Sequence, residues 1–221
     1  MERKEIYKHI DHTQLKPFAK WEDIQKLCEE AIAYKTASVC IPQTYIKRVK
    51  QNYKNINICT VVGFPLGYNS TKSKLTEVIS AIEDGANEID MVVNIAEVKN
   101  GNYKMVEDEI RALKKTCGNK ILKVIIETCY LTEEEKIAMC KAVTNAGADY
   151  IKTSTGFGTD GAKIEDIRLF KKYLGKDVKI KAAGGIKTEK DLIMFIEEGC
   201  DRIGTSSAID ILNWEDKKIE Y

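Results

Sequence analysis

The chain has 221 residues, of which 43% are hydrophobic, and this is enough apolar material for one domain with a sizeable core. Its 35 lysines and arginines nearly balance its 34 aspartates and glutamates, which leaves a net charge of +1. This balance argues against binding to nucleic acid or a membrane through a broad charged surface, so a small anionic ligand would need a local site.

Short β-rich runs alternate with amphipathic stretches along the whole chain. The predicted strands are Ile10–His12, Ala37–Ile41, Asn57–Val62, Glu88–Val93, Ile121–Glu127, Tyr150–Lys152, Val178–Ala182 and Arg202–Gly204. The predicted helices are Trp21–Tyr34, Gln43–Gln51, Ser70–Asp84, Tyr103–Cys117, Thr132–Ala146, Ile164–Leu174, Glu189–Glu198 and Ser207–Leu212. Eight such strand–helix units favour an α/β fold with one closed (β/α)8 barrel, a TIM barrel, as a single domain over residues 1–221. The alternative is an open flavodoxin-like sheet, which needs only about five strands.

Several features exclude other classes of protein. The charged N-terminal residues predict no secretory signal, and the seven cysteines show no Cys-x-x-Cys spacing, so we expect reduced thiols in a cytoplasmic protein. Only two histidines occur, His9 and His12, which argues against a histidine-rich metal site. No GxxxxGK[ST] motif is present, so a P-loop nucleotide site has no support.

Side-chain alternation assigns several charged residues to the interior of the predicted barrel. In Glu88–Val93 every second residue is apolar and would pack against the helices, so Asp90 would point inward together with Glu88. The same reasoning collects Asp90, Lys123, Glu127, Lys152 and Lys181 in one lumen. Buried charges must pair or titrate, and titratable groups that perturb one another in a cleft are typical of a catalytic site.

Two of these lysines lie near the C-terminal ends of successive strands, each before a glycine-bearing turn. The segments are Asp149–Gly156, which contains Lys152, and Lys179–Gly185, which contains Lys181. Burial and a second nearby cation both lower the pKa of a lysine, and the neutral amine condenses with carbonyl compounds to form a Schiff base. Because the C-terminal strand ends form the catalytic face of such a barrel, the two lysines and Asp90 are the candidate catalytic residues.

Other polar residues of the lumen have simpler interpretations. Lys123 and Glu127 are predicted to form a structural ion pair, and Lys179 is predicted to lie toward the opposite face and extend into solvent. Cys40 is placed at the C-terminal end of the second strand, with Ser38 on the same side. If it faces the lumen it could react with enals made by aldehyde self-condensation, although an inert buried thiol is the favoured interpretation.

Glycine-bearing segments follow the sixth, seventh and eighth predicted strands. They are Ser154–Gly158, Ala183–Ile186 and Gly204–Ser207. Glycine allows the backbone to approach an anion closely, and (β/α)8 enzymes commonly bind phosphate after strands 7 and 8. The alternative is that these glycines only form tight turns, but three consecutive segments predict a phosphate site.

The motifs match one family in order along nearly the whole chain. The matching segments are Ile10–Thr13, Ser38–Pro42, Val61–Pro65, Gly85–Asn94, Lys123–Thr128, Gly147–Gly156, Lys181–Gly185 and Gly204–Ser207. Through them the chain resembles the deoxyribose-phosphate aldolases, class I aldolases that reversibly cleave 2-deoxy-D-ribose 5-phosphate to acetaldehyde and D-glyceraldehyde 3-phosphate in deoxyribonucleotide catabolism.

The resemblance implies roles for particular residues. Lys152 would form the Schiff base, Lys181 would keep that lysine neutral and help to move protons, and Asp90 would be the acid/base partner through a water. The matching phosphate-binding positions are Gly156, Gly184, Gly185, Gly204 and Ser206, and Thr155 and Ser207 are further candidates in the same segments. The implied partners are a small phosphorylated sugar and acetaldehyde, with no metal, cofactor, nucleic acid or membrane, and we expect a homo-oligomer, a dimer or a tetramer.

Two positions depart from the pattern of some family members, and a third matches it weakly. Phe157 stands where some have a basic residue, and Lys187 stands where some have arginine, so the phosphate site here is expected to depend more on backbone amides. Some members use a C-terminal tyrosine in proton transfer, and Tyr221 matches it, but a frayed tail is the preferred interpretation.

Three other functions remain open on the sequence alone. The first is another Schiff-base aldolase of the same barrel type, such as a transaldolase or a fructose-phosphate aldolase. The second is a non-catalytic sugar-phosphate binding protein, which would bind ligand without forming an imine. The third is a phosphate-binding isomerase, which would use carboxylates and would not need the lysine pair.

Overall fold

The computed structural model describes residues 1–213, in which eight parallel strands close into a barrel in the order β1 to β8. The strands are β1 Ile10–Thr13, β2 Ser38–Cys40, β3 Ile58–Val62, β4 Glu88–Val92, β5 Ile121–Ile125, β6 Tyr150–Lys152, β7 Lys179–Ala183 and β8 Arg202–Thr205. β8 pairs with β1, with Gly204 beside Asp11, so the sheet has no free edge. The predicted TIM barrel is therefore confirmed, and the open flavodoxin-like sheet was wrong.

Helices follow the strands and form the outer layer. They are α1 Arg3–Tyr7, α2 Trp21–Tyr34, α3 Ile46–Asn52, α4 Thr71–Asp84, α5 Ile95–Lys99, α6 Tyr103–Cys117, α7 Glu133–Ala146, α8 Ile164–Tyr173, α9 Glu189–Glu197 and α10 Ala208–Asn213. The helix predicted from Gln43 is divided into a 3₁₀ turn, Gln43–Tyr45, and α3. The prediction missed α1, α5 and the 3₁₀ turn Thr128–Tyr130, since elements of three to five residues are too short to show a helical period. No helix among the described residues is long and apolar enough to cross a bilayer.

The sequence determines several helix ends locally. At the start of α7 the Thr132 hydroxyl accepts a hydrogen bond from the Glu135 amide, and the Glu135 carboxylate accepts one from the Thr132 amide. Gly85 and Gly147 end α4 and α7 with φ values of 115° and 75°, in the region that favours glycine. These caps leave only two residues between the capping glycine and the next strand, so each strand begins at a fixed position.

Alternation in the strands separates an apolar outer layer from a charged interior. Ile89 and Met91 of β4 are fully buried in the hydrophobic core between barrel and helices. Glu88 and Asp90 of the same strand are also buried but point the other way, into the lumen. The barrel therefore holds its charged residues in an environment that excludes bulk water.

A buried lysine on α4 fixes the C-terminal ends of β3 and β4. The Lys74 ammonium donates to the Glu109 carboxylate of α6 and to the Val92 carbonyl at the end of β4, each at 2.9 Å. Burial lowers the pKa of Lys74, and Glu109 opposes that shift. A Cβ on Gly63, just after β3, would lie 2.7 Å from Lys74 Cε. The hydrogen bond from Lys74 to the Val92 carbonyl therefore fixes the backbone two residues beyond Asp90.

Candidate active site

The barrel interior contains a cluster of seven charged side chains, here called the lumen cluster. Its members are Asp11, Glu88, Asp90, Lys123, Lys152, Lys181 and Arg202. Six of them are at most 3% exposed, and the Arg202 side chain is 14% exposed. The structure thus brings together four of the five residues predicted to share the lumen. The prediction missed Asp11 and Arg202.

Asp90 stands at the centre of the lumen cluster. Its Oδ2 atom accepts hydrogen bonds from Lys152 at 2.8 Å and from Lys181 at 2.7 Å. Its Oδ1 atom accepts from Lys123 at 3.0 Å and from the Cys59 thiol at 3.1 Å. Burial alone would raise the pKa of Asp90, but the ammonium groups of the three lysines hold it well below its ordinary value. Asp90 is therefore an ionised carboxylate placed directly between the two candidate catalytic lysines.

The two candidate catalytic lysines have different surroundings. Lys181 is fully buried and contacts Asp11 at 2.5 Å as well as Asp90. Burial would lower the pKa of Lys181, but the two carboxylates raise it above its ordinary range, so Lys181 remains a cation. Lys152 pairs with Asp90 alone among the described charged groups, and it lines the cavity at the C-terminal face. The geometry identifies Lys152 as the amine that a substrate can reach.

The lower half of the lumen cluster joins residues from β1, β4, β5 and β8. Arg202 contacts Asp11 at 2.5 Å through Nη1 and Glu88 at 3.1 Å through Nη2. Lys123 contacts Glu88, Asp90 and, at 3.6 Å, Asp11. Burial would raise the pKa of Asp11, but the surrounding cations, led by Lys181, lower it below its ordinary value. The two carboxylates in this half of the cluster, Asp11 and Glu88, each contact at least two cations.

The predicted ion pair between Lys123 and Glu127 was wrong. Residues four apart on a strand are separated by roughly 13 Å, which is too far for a contact. In addition, β5 ends at Ile125, and Glu127 adopts a left-handed conformation with φ 52°. Its carboxylate accepts hydrogen bonds from the Thr155 hydroxyl at 2.5 Å and amide at 3.1 Å. Burial raises the pKa of Glu127. Glu127 thus fixes the loop that follows β6.

An open cavity of about 340 Å³ lies at the C-terminal ends of the strands. All seven candidate residues for phosphate binding line it, together with Lys152. Gly156 and Gly184 have φ values of 85° and 82°, and a Cβ on Gly184 would lie 3.1 Å from the Gly161 Cα. Side chains at these two positions would strain or block the turns, so the cavity floor requires glycine there.

Two exposed lysines add positive charge to the cavity. Lys187 lies after β7 and Lys16 after β1, and both line it. Lys187 stands at a position predicted from the family pattern, whereas Lys16 was not predicted and its only sequence signal is its position just after a predicted strand. Phe157, also in the lining and 53% exposed, contacts Phe64 edge to face with the ring centroids 5.3 Å apart. The cavity lining therefore combines two lysines and several glycines with an aromatic ring, Phe157, whose contact with Phe64 forms an aromatic rim.

Cys40 is fully buried and lies in register with Cys59 on the neighbouring strand. A hydrogen bond from Cys59, together with Lys181, lowers the pKa of the Cys40 thiol, while burial raises that of Cys59 well above its ordinary value. Their sulfur atoms and a carboxylate oxygen of Asp90 lie within 4.8 Å of one another, a spacing that a metal ion could use. The ammonium groups that already bind Asp90 would compete with such an ion.

Lys179 has the position that the sequence predicted. It begins β7 at the end opposite to the cavity and is exposed, with its ammonium 5.8 Å from the Tyr150 ring. Tyr221, the candidate C-terminal proton-transfer residue, lies outside the described residues.

Comparisons with known proteins give matches along almost the entire chain. A family model described as DeoC/LacD family aldolase matches residues 6–208. A deoxyribose-phosphate aldolase of Clostridium botulinum (strain Alaska E43 / Type E3) is 67% identical over 217 residues, covering 98% of each chain. That of Clostridioides difficile (strain 630) is 56% identical, covering 96% of this chain and 98% of the relative. A solved tetrameric deoxyribose phosphate aldolase from Aeropyrum pernix has a TM-score of 0.90 at 28% identity, covering 97% of this chain and 92% of that one.

Proposed function

Since this chain belongs to the DeoC/LacD family of aldolases, we propose that Lys152 is the Schiff-base lysine with which it cleaves 2-deoxy-D-ribose 5-phosphate reversibly. The products are acetaldehyde and D-glyceraldehyde 3-phosphate. The observation that carries the assignment is the position of the Lys152 amine, which lines the cavity and contacts Asp90 while Lys181 binds the same carboxylate oxygen. The named relatives do not favour a transaldolase, an isomerase or a non-catalytic binding protein.

The proposed reaction uses the three residues that meet at Asp90 Oδ2. Neutral Lys152 attacks C1 of the open-chain sugar, and loss of water gives an iminium that accepts the electron pair of the C2–C3 bond. Asp90, ionised and adjacent, takes the proton of the C3 hydroxyl through a water molecule, which releases D-glyceraldehyde 3-phosphate. Protonation of the resulting enamine and hydrolysis of the imine then release acetaldehyde. Lys181 remains cationic beside Asp90 and supplies a fixed positive charge throughout.

Reduction with borohydride tests the assignment directly. Incubation of the protein with acetaldehyde, followed by borohydride and peptide mass spectrometry, should place a two-carbon adduct on Lys152. Added deoxyribose 5-phosphate should yield the same adduct, because cleavage leaves the acetaldehyde carbons on the enzyme. Folded protein that forms no adduct would favour the binding-protein or isomerase alternatives and would contradict the proposal.

The phosphate of the substrate is assigned to the glycine-lined side of the cavity. Backbone amides near Gly184 and Gly185, the hydroxyls of Ser206 and Ser207, and the ammonium of Lys187 all border this region. Glycine permits close approach of the backbone to the phosphate oxygens, and the exposed ammonium adds a charge-assisted contact.

Lys187→Met should raise KM for deoxyribose 5-phosphate about tenfold, the loss expected for one hydrogen bond to a charged group. The value of kcat should change little, since the contact persists from bound substrate to transition state. Steady-state kinetics with unphosphorylated deoxyribose provides the control, and its kcat/KM should not change. An equal loss with both sugars would show that Lys187 does not bind the phosphate.

We also propose that the protein acts in deoxyribose phosphate catabolism in the cytoplasm, as a homo-oligomer, a dimer or a tetramer. The tetrameric relative from Aeropyrum pernix supports an assembly of this kind. Light scattering coupled to size-exclusion chromatography measures it, and a monomeric mass at micromolar concentration would contradict it.

A further inference from the structure

The lumen cluster carries one more positive charge than negative charge. Its four cations are Lys123, Lys152, Lys181 and Arg202, and its three carboxylates are Asp11, Glu88 and Asp90. A net charge is costly in an environment that excludes water. If one cation loses its proton, the cluster contains three charges of each sign and is neutral.

The four cations differ in how many carboxylates they contact. Lys123, Lys181 and Arg202 each contact at least two carboxylates. Lys152 contacts only one, Asp90, and it shares that oxygen with Lys181. Lys152 is therefore the group whose deprotonation neutralises the cluster with the smallest loss of ion pairing.

No step of the reaction uses Arg202, as is also true of Asp11, Glu88 and Lys123 in the same cluster. Arg202 does not line the cavity, and its guanidinium spans Asp11 and Glu88 in the lower half of the barrel. Without that charge, the two carboxylates would be short of a cation, and the proton on Lys152 would restore neutrality. We infer that Arg202 is a positioning residue that keeps Lys152 neutral at working pH by compensating Asp11 and Glu88. This inference rests on the proposed Schiff-base role of Lys152.

Four other titratable groups face the cluster, and two of them bear on its charge. Burial raises the pKa of Tyr150, whose ring lies 5.9 Å from the Arg202 guanidinium, and raises that of Cys59, so both remain neutral. Burial also raises the pKa of Glu127, which is bound to Thr155, while the charge of Lys152 opposes that rise. The pKa of Cys40 is lowered. The experiment therefore uses Cys40→Ser and Glu127→Gln backgrounds as well as the unmodified chain.

Substitutions of opposite sign test the inference through the pH dependence of kcat/KM. Arg202→Met removes a cation, so the pH of half-maximal kcat/KM on the acid limb should rise by about 1 to 2 units. Glu88→Gln removes an anion, so the same limb should move to lower pH. The double variant Glu88→Gln/Arg202→Met removes one charge of each sign and should return the limb toward its original position. Arg202→Lys keeps the charge and should keep the limb close to that position.

A purely structural role would give a different pattern. Arg202→Met and Glu88→Gln would then both lower activity, without moving the limb in opposite directions, and that result would overturn the inference. If Arg202→Met does not fold, Glu88→Gln still tests the charge balance, because it should lower the pH of half-maximal kcat/KM on the acid limb. An acid limb that does not move in Glu88→Gln would contradict the inference. Arg168→Met, which changes an exposed arginine on α8, is the matched control and should leave the limb unchanged.

The inference and the proposed function fail in distinguishable ways. If borohydride traps acetaldehyde on Lys152 but the limb does not follow the sign of the substitutions, only the role of Arg202 is rejected. If the unmodified protein forms no adduct on Lys152, the Schiff-base assignment itself is rejected. Trapping yield measured against pH provides a second readout, and it should shift with the limb in each variant.

Discussion

Lys152→Met should lower kcat for deoxyribose 5-phosphate cleavage by at least about 10⁴-fold, the scale seen when a nucleophile is removed. Methionine has nearly the length of lysine and fills the same space, so the change removes the amine and little packing. No described lysine other than Lys152 combines a contact to Asp90 with a place in the cavity wall, so no other amine can replace it. Coupled detection of glyceraldehyde 3-phosphate measures the loss.

Two controls separate lost chemistry from lost structure. Lys163→Met changes an exposed lysine near α8 and should keep full activity. Circular dichroism and thermal unfolding of Lys152→Met should show a folded barrel, because Asp90 retains Lys123 and Lys181 as partners. If the variant keeps more than about 1% of the original kcat, a different group forms the covalent intermediate.

Lys181→Leu should lower kcat/KM by about 10²- to 10³-fold near pH 7. The substitution removes the cation that shares Asp90 Oδ2 with Lys152, so the carboxylate is free to hold Lys152 in its charged, non-nucleophilic form. Part of the loss should be regained as the pH is raised toward about 10, where lysine begins to lose its proton. A pH series of initial rates measures both effects.

Lys179→Leu is the matched control for this prediction. It lies two residues earlier on β7 and is exposed at the opposite end of the barrel, so its pH profile should equal that of the unmodified protein. Lys181→Leu with near-full activity at pH 7 would remove Lys181 from the mechanism. A uniform loss at every pH would instead indicate a role in proton transfer or packing.

Local sequence signals were sufficient for the barrel and the upper half of the site. Short β-rich runs between amphipathic stretches located all eight strands, and alternation in β4 placed Asp90 in the lumen. The lysines Lys152 and Lys181 followed from their positions at strand ends. Such signals succeed because each depends on residues that are near one another in sequence.

The missed features depend on contacts between distant segments or on unusual backbone geometry. Asp11 and Arg202 were not recognised as partners because they are 191 residues apart in sequence and meet only where β8 closes the barrel against β1. The buried ammonium of Lys74 on α4 is paired with Glu109 on α6, which lies 35 residues away in sequence. Glu127, which lies just after β5, adopts a left-handed backbone conformation that is rare for glutamate, and no sequence pattern predicts it.

The shared carboxylates of the lumen have a consequence for evolution and engineering of this barrel. Because each of Asp11, Glu88 and Asp90 contacts cations from several strands, the effect of changing one charge depends on which others are present. We therefore expect compensating pairs at these positions to lose less activity than the sum of the two single changes. The contact between the Phe64 and Phe157 rings involves no member of the lumen cluster, so new acceptor aldehydes are best sought by varying these two side chains first.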